Sequence, residues 1–512
     1  MYTTRWLRNL LLIITTLFII QCSFAEVRLP AIINDNMVLQ QKSTIVLWGW
    51  ADAGEKITIA VSWDNKPVNI TCDDKGNWTT NIKTKAAGGP YTINFTASNN
   101  ITIKNVLLGE VWLASGQSNM EFFVNKTTNN SYTGVINYQQ EIKEADYPAI
   151  RMIDIPNKVA DEPQTDFTGK WKICSPQTVD TFSAVAYYFA REIYKATGFP
   201  IGIINSTWGG TPAESWTKKS VLENDPGFNE ILERYKKQCA EFPAELEKHK
   251  LALDKWKADT SKRKGGAPAG PIGPNHNKSP YKLYNGMIAP IVHYTLKGVI
   301  WYQGESNVDR AFQYRRLFPA MIADWRSDFK NPQLPFYFVQ ISPHRSQHAE
   351  IRDAQLYAYR TVPHTGMAVT TDNGDSLDIH PRNKKLVGER LSLWALKNEY
   401  GKKTIVVSGP LYKSVKMESN KIRIAFDYAD GLISKGGSLK EFTIAGNDQN
   451  FVPAQAIIEG NTIVVWSDVV ANPAAVRFAW RNVPSPNLFN KAGLPASPFR
   501  TDDWKLTTEG KN

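Results

Sequence analysis

Only four cysteines occur in 512 residues, and one of them, Cys22, sits in an apolar N-terminal segment. The other three, Cys72, Cys174 and Cys239, are an odd number spread over the whole chain. That spacing is no disulfide framework and supplies no pair for a structural metal. Histidine is scarce too, with seven residues: His249, His276, His293, His344, His348, His364 and His380. None forms an HExxH or similar pattern, so no metal site and no cofactor are expected. Beyond the N-terminus no apolar run is long enough to span a bilayer. No repeat of regular period is present, which argues against solenoids and propellers. A clustered basic face is missing as well. The formal charge is +11, but the basic residues are scattered, and the densest run, Lys262-Arg263-Lys264, lies in a polar segment. This reads as a solvated basic surface, with weak attraction to acidic glycans as the functional alternative, and no nucleic-acid partner is expected.

What is present begins with a secretory pattern. Arg5 and Arg8 precede an apolar stretch from Leu10 to Ile20, and Ser23-Phe24-Ala25 offers a small-residue cleavage site. Residues 1–25 are therefore expected to be a signal peptide, and the protein secreted or periplasmic. A lipid anchor through Cys22 fits less well, because Gln21 is a poor residue before it. The sequence gives no oligomeric state.

The length suggests about two to four domains. From 26 to 105 short strands alternate with turns. Ile57, Ile59 and Val61 alternate with polar residues, as do Tyr91, Ile93 and Phe95, and Gly88-Gly89-Pro90 reads as a turn. This rhythm predicts a β-sandwich accessory domain. Trp48, Trp50 and Trp63 in it are either core residues or a sugar platform. From 106 to 403 strands alternate with amphipathic helices, which predicts an α/β domain built on a doubly wound parallel sheet. A charged helical insertion near 223–281 interrupts it, either a solvated flap or a wall of the crevice. From 404 to 512 period-two alternation returns, as in Ile422, Ile424 and Phe426, and predicts a β-rich C-terminal domain.

The chemistry concentrates where apolar runs end. Val111-Trp112-Leu113-Ala114 leads into Gly116-Gln117-Ser118-Asn119-Met120. A serine on a strand-to-helix turn is held rigidly, and the following backbone N–H groups can face a developing oxyanion. Gly298 to Tyr302 leads into Gln303-Gly304-Glu305-Ser306-Asn307, and a third polar cluster runs from Asp375 to Pro381. Parallel sheets bind ligands at the carboxyl ends of their strands. One crevice then collects Ser118 as nucleophile, His380 as base and amide donors, as acyl transfer needs.

Together these blocks resemble the SGNH hydrolase superfamily and, within it, the sialate O-acetylesterase family, with relatives among carbohydrate acetylesterases. The resemblance rests on GEVWLASGQSNME (109–121), WYQGESN (301–307) and DIHPRNK (378–384), with NDNMVLQ (34–40) and GGPY (88–91) in support. It implies an SGNH-like α/β fold and a serine esterase acting on acetylated carbohydrate, O-acetylated sialic acid above all. An acetylesterase for a plant polysaccharide such as xylan is the runner-up, and a non-catalytic carbohydrate-binding protein the rival of another class. Many SGNH hydrolases place an aspartate three residues before the histidine. Here that position is Leu377, so the resemblance leaves Asp378 or Glu305 to orient His380. For the oxyanion it implies the N–H of Ser118, Gly209 or Gly210, and the amide of Gln303 or Asn307. Substrate contacts are expected from Gln117, Asn119, Trp208 and Trp301.

Overall fold

The computed structural model describes residues 26–127, 132–259 and 266–511. The expected signal peptide with Cys22, and the basic run 262–264, lie outside the described residues. The chain is a mixed α/β protein with one large sheet and further β-rich sheets towards its C-terminus. Among the described residues no helix is long and apolar enough to cross a membrane.

The centre of the molecule is a single strand, Asn100–Gly116. Its first residues alternate in exposure, and every residue from Val106 onward lies buried or half-buried. The first half pairs antiparallel with Gly88–Thr96. The second half pairs parallel with Ile201–Thr207 on one side and Gly298–Tyr302 on the other. One strand thus crosses the boundary expected at 105/106 and belongs to both the N-terminal and the central layers. The turn expected at Gly88-Gly89-Pro90 is instead the start of the strand Gly88–Thr96. Proline sits there where register with the neighbouring strand is broken, between Gly88 and Tyr91, and no ladder donor is needed from it. Trp48 and Trp63 are buried in the core.

From the central strand the sheet runs outward through Gly298–Tyr302, Phe336–Val339 and Thr365–Ala368 on one side. On the other it runs through Ile201–Thr207 and Tyr147–Asp154, and ends in the antiparallel strand Lys172–Cys174. The order of connection therefore reverses at Asn100–Gly116, which is where such sheets open a crevice. Side chains alternate between two helical layers. Tyr337 packs against Trp112 and Trp394, on the side of the helices Ala184–Thr197 and Lys384–Asn398. Its neighbours Phe336 and Phe338 pack against Trp325 and Phe318 of the helix Ala311–Asp328.

The helix Ala184–Thr197 starts where Ser183 caps the N–H of Ala186 and stops at Gly198 in a left-handed conformation. The charged insertion forms a 30-residue helix, Asn229–Ala258, in which only Ile231 is buried. Beyond 404 two four-stranded antiparallel sheets form. They are tied to the central layer by Gln340 Nε2 donating to Ser497 Oγ and by Glu350 accepting from Thr507 and Thr508.

Candidate active site

Register fixes where the crevice lies. Thr207 and Tyr302 both stand opposite Gly116, so three parallel strands end at one level. The loops that follow them, starting at Gln117, Trp208 and Gln303, meet above that edge. Gly116 has a φ of 136°, and a Cβ there would lie 2.2 Å from the carbonyl oxygen of Tyr302. Only glycine lets the turn come this close to its neighbour. The turn is stitched on both sides. Gln117 N–H donates to Tyr302 O, and Trp208 N–H donates to Gly116 O. Ser118 then opens the short helix Ser118–Glu121.

His380 reaches this serine from a long loop between the edge strand Thr365–Ala368 and the helix Lys384–Asn398. Its Nε2 lies 2.9 Å from Ser118 Oγ. The loop is pinned from several directions. Asn119 Nδ2 donates to Ile379 O, and Arg382 Nε donates to Gly134 O. Arg390 holds Asp372 through both Nη atoms. Burial lowers the pKa of His380 to about 4, helped by Lys384 and His344 and opposed by Asp378. The imidazole is therefore neutral at neutral pH, the form that accepts a proton.

The two carboxylates expected to orient His380 sit differently. Asp378 Oδ1 accepts the backbone N–H of His380 at 2.8 Å and stands 3.7 Å from its Nδ1. That is ion-pair range and too long for a hydrogen bond. Glu305 is buried and accepts from Asn119 Nδ2 at 2.6 Å, and no contact joins it to His380. Asn119 Oδ1 in turn accepts from Lys384 Nζ. Burial raises the pKa of Glu305 and pulls that of Lys384 down to about 7. Asn119, Glu305 and Lys384 form a buried polar cluster that ties the nucleophile turn to the histidine loop. Asn119, expected to contact substrate, is buried with its amide engaged in this cluster.

Other expectations also need correcting. Gln303 is fully buried, and its Nε2 donates to Thr211 O and Asn307 Oδ1. Asn307 accepts from Ala213 N–H as well and donates to Glu214 Oε2. Gln303 therefore has both amide hydrogens engaged, and Asn307 is held by Ala213, Gln303 and Glu214 in the same buried network. Gly209 N–H donates to Glu121 Oε2 at 2.7 Å, so that donor is occupied too. Among the described residues no protein acceptor takes the N–H of Ser118 or Gly210. Trp301 is fully buried among Trp216, Trp325 and Phe318, which makes it core. Gln117 is nearly buried, and its Oε1 accepts the Ser306 N–H. Trp208 alone of the four expected substrate contacts is half-buried.

Two residues at the site were not singled out from sequence. Glu121 is held by Tyr132 OH and Gly209 N–H, and burial raises its pKa. The rings of Tyr132 and His380 stand nearly perpendicular with their centroids 5.5 Å apart. The signal for Glu121 was available: it lies three residues after Ser118 on a helix, hence on the same face. Among the described residues no group of three or more His, Cys, Asp or Glu side chains is placed to hold a metal ion.

The fold and site define an α/β protein with a serine–histidine pair at the carboxyl edge of its sheet. A profile of a carbohydrate esterase family, the sialic acid-specific acetylesterases, matches residues 108–248 and 269–396. The chain belongs to that family. A sialate O-acetylesterase from Rattus norvegicus is 29% identical, with 92% of this chain and 94% of that protein aligned. One from Homo sapiens is 28% identical, with 92% of each aligned. A solved carbohydrate acetylesterase from Xanthomonas citri is 34% identical and superposes with a TM-score of 0.79, over 94% of this chain and 100% of that one.

Proposed function

We propose that this chain is a secreted serine esterase of the SGNH type that removes O-acetyl groups from carbohydrates. The observation that carries this is the 2.9 Å contact between His380 Nε2 and Ser118 Oγ, with the imidazole held neutral. Ser118 Oγ attacks the acetyl carbonyl carbon while His380 Nε2 takes its proton. The oxyanion is met by the backbone N–H of Ser118 and of Gly210. The tetrahedral intermediate collapses as His380 returns the proton to the departing sugar oxygen. Water, deprotonated by His380, then attacks the acetyl-serine carbonyl, and as the acyl–Oγ bond breaks His380 returns that proton to Ser118 Oγ and acetate leaves. Asp378 is the orienting carboxylate. Trp208 lines the sugar side.

O-acetylated sialic acid is the substrate this reading favours, supported by the curated relatives. Export rests on the pattern in the first 25 residues. The N-terminal and central layers, joined through the strand Asn100–Gly116, act as one unit together with the insertion, and 404–512 is the other. The test is acetate release from a panel of acetylated sialoglycans, acetylated xylan and p-nitrophenyl acetate. Ser118→Ala is expected to lose activity on all of them by several orders of magnitude with its melting temperature kept. A variant retaining more than a small fraction of the wild-type rate would overturn the serine mechanism.

A further inference from the structure

Beside the nucleophile turn lies a cavity of about 220 Å³ whose walls come from three places. Pro212 and Glu214 belong to the loop after the strand that ends at Thr207. Ser306 and Arg310 belong to the loop after Tyr302. Arg234 and Lys278 come from the insertion. The cavity shares both loops with the serine: Ser306 N–H donates to the side chain of Gln117, the residue before Ser118. On the other loop, Gly209 O accepts from Asn277 Nδ2, next to Lys278.

The charges in these walls do not balance. Arg234 and Arg310 both place an Nη2 on the same oxygen of Glu214, at 3.0 and 2.9 Å. The other oxygen of Glu214 is taken by Asn307. One carboxylate therefore faces two guanidinium groups, and Lys278 adds a third positive charge. Glu230 on the same helix contributes a weaker field at Arg234. Arg234 Nη1 and Arg310 Nε are buried with no hydrogen-bond partner. Converging cations with unused donors are costly unless an anion joins them, and a planar fork suits a carboxylate.

Building on the esterase reading, we infer that this cavity is the subsite for the carboxylate of an acidic sugar, with Arg234, Lys278 and Arg310 as its recognition groups. The acetyl group meets Ser118 while the carboxylate of the same sugar enters the cavity. The insertion is then a specificity element. Nonulosonic and hexuronic acids share this chemistry, and acetylated examples of both belong in the test.

Binding separates this inference from the esterase reading. Calorimetry on the Ser118→Ala protein, with an O-acetylated sialic acid, an O-acetylated hexuronic acid and the methyl ester of each, reads the carboxylate alone. At least one free acid is expected to bind tenfold or more tighter than its ester, and which of the two does so names the sugar class. Lys278→Gln, an exposed change, and Arg234→Gln are each expected to shrink that ratio severalfold. In the active enzyme they raise KM for the acid by more than they raise it for the methyl ester. Equal binding of acids and esters, or variants that leave the ratio intact, overturns the subsite while leaving the esterase standing. Acetate release absent from every substrate overturns the esterase, whatever the binding shows.

Discussion

In the proposed mechanism His380 takes a proton from Ser118, for which it has to be neutral, and its surroundings keep it so. A free imidazole protonates near pH 6.5, and this one near about 4 because burial and Lys384 oppose its charge. The rate on p-nitrophenyl acetate is therefore expected to hold below the ordinary histidine range and fall with a midpoint near pH 4. The same depression costs stability in acid. As pH falls from 6.5 towards 4 the unfolded chain takes up the proton first, so this residue's contribution to stability declines over that window. A pH–rate profile midpoint above pH 6 would contradict the burial of the ring. Asp378→Asn is expected to lower kcat substantially, by less than loss of the base, with an unchanged melting temperature. Glu305→Gln acts on another property. It leaves Lys384 buried without its counter-charge, and is expected to cost about 3 kcal/mol of stability. Paired kinetics and melting curves decide between them. A crippled Glu305→Gln enzyme of normal stability, beside a normal Asp378→Asn one, would move the orienting role to Glu305.

At the scale of elements, the histidine loop is only as well placed as the helix that follows it. Gly388 in that helix faces Tyr188 and Val185 of the helix Ala184–Thr197, and a Cβ there would lie 2.6 Å from Tyr188 Cβ. Gly388→Leu is expected to force the two helices apart, lower stability by about 1–3 kcal/mol and reduce kcat by shifting His380. Thermal melts and kinetics on p-nitrophenyl acetate check both. These elements were readable in the sequence because their patterns are local. Gly298–Tyr302 is an unbroken apolar and aromatic run, and the helix ending at Thr197 shows its apolar stripe and its glycine stop. The placement of Ser118 and His380 after strands was legible for the same reason. Direction was not legible. A sequence shows that Gln303 and Asn307 carry amides near a strand end. It does not show that both amides turn inward to Thr211, Ala213 and Glu214. Nor does a D-x-H spacing reveal that Asp378 reaches the backbone of His380 more closely than its ring. Gly88-Gly89-Pro90 misled because its composition is that of a turn, while pairing with the long central strand decides its shape.

For the molecule as a whole, the proposed serine mechanism uses no metal, so acetate release is expected to survive chelation by EDTA. Loss of activity restored by added zinc would overturn the serine mechanism altogether. Removing residues 26–105 is expected to give insoluble protein, seen as loss of the soluble fraction on expression. Val38–Gln40 and Gly88–Thr96 flank the strand that carries Ser118, and Leu107, Leu108 and Val106 would lose their cover. A soluble, active truncation would show that the N-terminal layer is a dispensable appendage. That same strand, Asn100–Gly116, has a consequence for how such a protein is rebuilt. Accessory modules of secreted enzymes are commonly exchanged by cutting a linker, but here the seam is a continuous β-ladder with no linker to cut. Inserting one residue between Asn105 and Gly116 would turn each later side chain to the opposite face and carry the serine out of reach of its histidine. The N-terminal layer and the catalytic layer therefore travel as a single cassette, and a chimaera has to be joined before the strand Val38–Gln40 or after the whole sheet is complete.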